Sequence, residues 1–132
     1  MPQSLTPLDV LTSGGKYPER EQSDECTSSV RIKAADLAER VSKLCDFVGH
    51  VPAVSSGFRT SAVNAKVGGS SHSAHLTGEA VDLYDKDGSL ARKVTGHFLA
   101  QFDLYAEDPA ATGGWLHLTT RRPPSGSRIF KP

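Results

Sequence analysis

The sequence predicts an α+β protein of a single domain, in which a small antiparallel sheet packs against helices. Three observations favour this class. The 132 residues fall within the usual size of one domain. The segment 27–48 carries apolar residues at helical spacing. The segments 80–84 and 115–119 alternate in the way that half-buried strands do.

The composition indicates a globular chain with no bias toward charged partners. Hydrophobic residues make up 37% and charged residues 23%. Lys plus Arg and Asp plus Glu both number 15, so the formal net charge is +0. Proteins that grip nucleic acid or an anionic membrane need a surplus of basic residues. We therefore expect no nucleic-acid partner, no membrane insertion and a monomer.

The N-terminal residues 1–26 are rich in Gly, Pro, Ser and charged side chains, and predict an extended arm with at most a short helical turn. The domain proper is expected over 27–132. No basic stretch followed by an apolar one marks a secretory signal. Cys26 and Cys45 lack metal-binding spacing, and we expect two free thiols.

The clearest helix is predicted over 27–48. Thr27 or Ser28 can cap its start, and Gly49 can end it. Its expected buried face consists of Val30, Ala34, Leu37, Val41, Leu44 and Phe47. The shorter elements are strands over 51–54, 80–84, 103–106 and 115–119 and helices over 60–67 and 89–102. The tail from Arg121 predicts an extended strap pinned by Ile129 and Phe130.

Two predicted strands each carry one residue suited to metal binding. Asp82 lies between two apolar residues and His117 between two leucines, so both point away from the core. His75 precedes the first strand, and Gly78 lets the chain bend back. A strand histidine alone is more often structural, but a carboxylate in an apolar strand needs a cation or donors. With three such ligands, hydrolytic zinc sites keep a fourth position for water. The pattern predicts one zinc ion.

The same residues belong to a longer motif. SAHLTGEAVD at 73–82 resembles the SxHxxGxAxD signature of the M15 peptidases and matches each of its fixed positions. SGFRT at 56–60, followed by Val63 and Asn64, resembles the SGYRT…VN segment of that family. WLH at 115–117 resembles its closing W-x-H strand. The family comprises zinc D-Ala-D-Ala carboxypeptidases and L-alanyl-D-glutamate endopeptidases with the hedgehog/DD-peptidase fold.

This resemblance implies zinc-dependent hydrolysis of an amide bond in peptidoglycan stem peptides. It implies that His75, Asp82 and His117 are the zinc ligands. Arg59 would hold the peptide carbonyl or the developing oxyanion. Ser73 would orient a ligand or the loop, and would stand close to substrate.

The resemblance also suggests a phage or prophage lysis enzyme, an endolysin, since many phage-encoded members have a similar size. We expect synthesis in the cytoplasm and action on the cell wall after release or as part of a virion. The alternative is a non-catalytic zinc-stabilised structural or wall-binding module of a virion. A peptidase with a substrate outside the wall is a third reading.

The sequence departs from the family at the general base. Members usually carry an acidic residue three positions before the final histidine, where this chain has Gly114. Without a base near the water, such a site binds metal and does little else. Glu107 is the first candidate and Asp108 the second, because the loop 109–114 could return the chain to the metal. A solvated acidic loop is the alternative.

Two further polar residues flank the motif. His72 lies in a loop rich in glycine and serine, and is either a substrate contact or an exposed loop histidine. Glu79 is a poorer candidate for the base, because strand parity places it on the side opposite to Asp82.

Overall fold

The computed structural model describes residues 4–132, so residues 1–3 of the predicted arm lie outside the described residues. The helices of this part are α1 (Pro7–Thr12), α2 (Ser28–Val48), α3 (Ser61–Lys66), α4 (Ser89–Lys93) and α5 (Gly96–Gln101). Its strands are β1 (Val54–Ser56), β2 (Ala80–Tyr84), β3 (Tyr105–Glu107), β4 (Trp115–Thr119) and β5 (Ile129–Phe130). The predicted α+β class is confirmed. None of the described helices has the length and apolar character needed to cross a bilayer.

The strands form one sheet in the order β1-β2-β4-β3-β5. The first four strands pair antiparallel, as predicted, with β4 central between β2 and β3. The sheet is nevertheless mixed, because β5 pairs parallel with β3. The reason is topological: β4 runs antiparallel to β3, and the tail reverses once more before it reaches the sheet edge.

Helix α2 supplies the largest apolar face. It starts at the Thr27 cap, whose Oγ1 accepts a hydrogen bond from the N–H of Val30, and ends at Gly49 in the left-handed conformation (φ 70°). The predicted helix is confirmed. Phe47 is not in its buried face and is 56% exposed, since it lies about 120° around the helix from the centre of the buried stripe. Cys45 takes the buried position instead.

The predicted N-terminal arm is not extended. It forms α1, followed by a 3-10 helix over Pro18–Gln22. A reciprocal cap between Thr6 and Asp9 begins α1. Val10 and Leu11 are buried in the core shared with α2 and the sheet. Burial of these two side chains stabilises a helix too short to persist alone.

Two other element boundaries differ from the prediction. The helix predicted over 89–102 is divided into α4 and α5, because Val94 adopts an extended conformation (φ -90°, ψ 92°). The β-branched Val94 and Thr95 and the following Gly96 are all weak helix formers. Strand β1 starts after Pro52, which has no N–H to donate to a ladder.

Both cysteines are free, as predicted, and both are buried. Burial raises the pKa of Cys45 to about 12, and the charge of Asp46 adds to the effect. The thiol therefore stays protonated and acts as a small apolar side chain.

Candidate metal centre

A short 3-10 helix over Ala74–Thr77 places His75 beside strand β2 of the sheet. Its cap is Ser73, whose Oγ accepts a hydrogen bond from the N–H of His75 at 3.2 Å. Gly78 ends the turn with a φ of 78°, and a Cβ at this position would lie 2.8 Å from the carbonyl oxygen of Val30. Only glycine satisfies both the backbone conformation and the close approach to α2.

Strand register aligns a row of side chains across all five strands. Asp82 pairs with Ser56 on β1 and with His117 on β4. The register of β3 on β4, extended by one residue, places Glu107 beside His117. Glu107 in turn pairs with Phe130 on β5. Because paired residues project from the same face, this row forms one continuous surface opposite to the core.

Two side chains of this row, Asp82 and His117, converge with His75. Nε2 of His75 lies 3.4 Å from Oδ2 of Asp82. Nδ1 of His117 lies 2.7 Å from Oδ1 of Asp82. One donor atom from each residue lies within 4.8 Å of the other two. Among residues 4–132 this is the one group of three or more His, Cys, Asp and Glu side chains that meets this condition.

Contacts behind the cluster fix the orientation of His75. Its Nδ1 lies 2.8 Å from the carbonyl oxygen of Gly57. A carbonyl only accepts, so Nδ1 carries a hydrogen, and Nε2 is the nitrogen that faces Asp82. This is the arrangement that a metal-ligating histidine takes, with the second nitrogen donating to a backbone carbonyl.

Asp82 is an ionised carboxylate in a nearly buried position, with 7% of its surface exposed. Burial alone would raise the pKa of Asp82, but hydrogen bonds from His117 and His75 and their positive charge outweigh it. The pKa of Asp82 therefore lies well below its ordinary value. A buried anion flanked by two imidazole nitrogens matches the nitrogen and oxygen donors that zinc takes in hydrolytic sites.

Arg59 borders the cluster and is held by three contacts. Nη2 lies 3.8 Å from Oδ2 of Asp82. Nε donates to Oγ of Ser56 at 3.3 Å, and Nη1 donates to Oδ1 of Asn64 at 3.4 Å. The buried Asn64 also donates to the carbonyl oxygen of Ser70 at 2.8 Å. Asn64 therefore links Arg59 to the loop before His75, a role that sequence reasoning missed although the VN motif marks the position.

The cluster opens into a cleft of about 690 Å³. Arg59, Ser73 and Glu107 line it together with the three converging residues. Trp115 and the tail, including Phe130, complete its lining. The ring of Phe130 meets that of His117 edge-on, with 6.2 Å between their centroids.

A family model described as Peptidase M15 matches residues 17–101, which is more than half of the chain. The chain belongs to this family. The match contains Arg59, His75 and Asp82 and ends before Glu107 and His117. M15 proteins are zinc peptidases, so membership identifies a peptidase and names the metal expected at the cluster. No curated protein and no solved structure matches the chain at a significant level.

Three acids or imidazoles considered for the M15 site lie outside the cleft. Asp108 caps the 3-10 helix after β3, accepting from the N–H of Ala110 at 3.0 Å. His72 borders a separate shallow depression with Leu76. Oε1 of Glu79 accepts from Nη2 of Arg121 at 3.0 Å, and Glu79 itself does not line the cleft.

Gly57 of the M15 motif lies where the backbone leaves no space for a side chain. Gly57→Ala is expected to lower the free energy of unfolding by about 3 kcal/mol, because its Cβ would lie 2.1 Å from the carbonyl oxygen of Val10. Urea denaturation measures the change. Gly113→Ala is the control, since nothing lies within 4 Å of a Cβ there. Equal effects in the two variants would show that the approach of α1 does not constrain Gly57.

Proposed function

We propose that this M15 peptidase hydrolyses an amide bond in peptidoglycan stem peptides, as a carboxypeptidase or an endopeptidase, and that it serves as a phage or prophage lysis enzyme. The observation that carries the catalytic part is the metal cluster, together with Glu107 beside it on the sheet. His75, Asp82 and His117 offer three donors within 4.8 Å of one another. A carboxylate, Glu107, stands next to His117 in the extended register.

The proposed mechanism divides the work between zinc, its three ligands and two further residues of the chain. Zinc held by His75, Asp82 and His117 would polarise the scissile carbonyl and lower the pKa of a water molecule to about 7. Glu107 accepts a proton from the attacking water as oxygen bonds to the carbonyl carbon. Arg59 stabilises the developing oxyanion through its fixed guanidinium. Glu107 then delivers the proton to the leaving nitrogen as the C–N bond breaks.

The backbone explains why the acid is absent from position 114. Gly114 has a φ of 92°, which disfavours any residue with a side chain. Its carbonyl oxygen accepts a hydrogen bond from the N–H of Asp85 at 2.9 Å, so the turn is tied to the end of β2. Glu107 reaches the same cleft from the neighbouring strand. A base supplied by β3 thus replaces one supplied by the turn before β4.

The charges of the cleft favour an acidic peptide. Arg122 and Lys131 line its tail side, and neither forms an ion pair within residues 4–132. Peptidoglycan stem peptides carry free carboxylates that such cations can bind. The local positive charge supports this substrate although the formal net charge of the whole chain is +0.

The test is digestion of purified peptidoglycan, followed by mass spectrometry of the fragments and metal analysis of the same protein sample. We expect one zinc per chain and one new amine terminus per cleaved stem peptide, both abolished by a chelator and restored by zinc. The fragment masses identify the amide that is cut.

The second candidate, a non-catalytic zinc-stabilised virion module, is favoured by Gly114 at the usual acidic position. One bound zinc without any new amine would support it and overturn the peptidase proposal. If the protein released amine from an unrelated peptide and left peptidoglycan uncleaved, only the proposed substrate would be overturned.

A further inference from the structure

The N-terminal segment is hydrogen-bonded to the end of β1, which supports the metal cluster. Its residues make four hydrogen bonds to the segment 55–58. They join Lys16 Nζ to Ser55 O at 2.7 Å, Gly57 N to Ser13 Oγ at 3.0 Å, Phe58 N to Val10 O at 2.8 Å, and Arg20 Nη1 to Phe58 O at 3.1 Å. Three of the four fix the peptide groups on either side of Gly57 and Phe58.

These contacts matter for His75 because peptide groups are planar. The plane between Gly57 and Phe58 donates through its N–H to Val10 and accepts through its carbonyl oxygen from Nδ1 of His75 at 2.8 Å. Fixing one end of a planar group fixes the direction of the other. The next plane accepts from Arg20 through the Phe58 carbonyl oxygen and donates through the Arg59 N–H to the carbonyl oxygen of His75 at 3.1 Å.

Ser13 fixes the preceding peptide plane, between Ser56 and Gly57. Its Oγ accepts from the N–H of Gly57 and also from Nη1 of Arg20 at 2.9 Å. Ser13 is fully buried and has a φ of 53°. A side chain in this conformation costs on the order of 1 kcal/mol, and glycine is the residue usually found there. The hydroxyl therefore offsets a backbone cost that glycine would avoid.

Arg20 is also held in place, with its guanidinium 4.0 Å above the ring of Tyr17. A single nitrogen, Nη1, makes both the bond to Ser13 and the bond to Phe58. Gly57 is otherwise the most freely rotating point of this backbone. Ser13 and Arg20 brace it from both sides.

We propose that Ser13 and Arg20 are positioning residues, which hold the Gly57 carbonyl and thereby the metal-binding orientation of His75. This inference rests on the proposed zinc site. Ser13 lies before the matched family segment, which begins at residue 17. The contact of Ser13 with Gly57 thus connects a part of the chain outside the M15 match to His75, a metal ligand inside it.

The test compares Ser13→Ala and Arg20→Met with Ser42→Ala in the full chain. Ser42 is the matched control, because its hydroxyl also ties the N-terminal segment to the body, through the N–H and carbonyl of Leu5 at 2.8 and 3.0 Å. The probes are Zn²⁺, titrated against a chelator, and Co²⁺, followed by its d–d absorption spectrum. Urea denaturation of the metal-free proteins shows that each variant is folded.

We expect Ser13→Ala and Arg20→Met each to raise the Kd for zinc about tenfold. This is the lower end of the range for groups that orient a metal ligand. The cobalt spectrum should shift with them, and Ser42→Ala should match wild type in both readouts. Arg20→Lys should restore most of the affinity, because one nitrogen makes both bonds. Equal losses in Ser13→Ala and Ser42→Ala, or wild-type affinity in Ser13→Ala, would overturn the positioning role. Absence of zinc binding by wild type would instead overturn the proposed function.

Discussion

Glu107→Gln is expected to lower kcat/KM for peptidoglycan peptides by about 10²–10⁴-fold, the usual contribution of a general base. Glutamine keeps the size of the side chain but has no lone pair basic enough to take the proton of water. Zinc affinity should change by less than about threefold, because Glu107 lies beside the ligands and is not one of the three converging donors. Amine release and zinc titration on the same preparation measure the two effects.

The matched control is Asp108→Asn. Asp108 was the other acidic candidate, yet it caps a 3-10 helix and does not line the cleft. This change should leave kcat/KM within about threefold and barely alter stability, because Asn caps a helix about as well as Asp. If Asp108→Asn abolished activity and Glu107→Gln did not, the base would have been assigned to the wrong residue.

The metal cluster could be predicted from the sequence because the patterns that indicate it are local in the chain. Alternation in β2 and β4 places Asp82 and His117 opposite the core, and the M15 motif fixes the spacing from His75 to Asp82. Both strands have the predicted bounds. Long-range pairing then required only that two strands with apolar faces lie side by side.

What the sequence could not resolve depends on contacts between distant segments. The choice between Glu107 and Asp108 depends on the register of β3 against β4, since a shift of one residue would present the other side chain to the cleft. The N-terminal helix α1 has only six residues, and the segment 1–26 around it has the Gly, Pro, Ser and charged composition of a linker. Its role becomes visible only where Val10 and Ser13 meet Gly57 and Phe58.

Zinc is expected to stabilise the protein, and Asp82 carries the largest share of that effect. Zinc at 100 to 1,000 times its Kd should raise the free energy of unfolding by about 2.7–4.1 kcal/mol, because the three donors come together only in the folded chain. Asp82→Asn removes the one anionic ligand of the cluster, and should abolish this increment at the same zinc concentration. Urea denaturation with zinc or with a chelator measures it.

Asp85→Asn separates loss of a ligand from loss of a buried carboxylate. Asp85 follows β2, is 6% exposed, and accepts from the N–H groups of Leu90 and Ala91 at the start of α4. Its replacement should destabilise the protein with and without zinc, and should leave the zinc increment at its wild-type size. A zinc increment that survives in Asp82→Asn but is lost in Asp85→Asn would place the metal away from the row of Ser56, Asp82, His117 and Glu107. The hydrolytic mechanism depends on the metal being held beside Glu107.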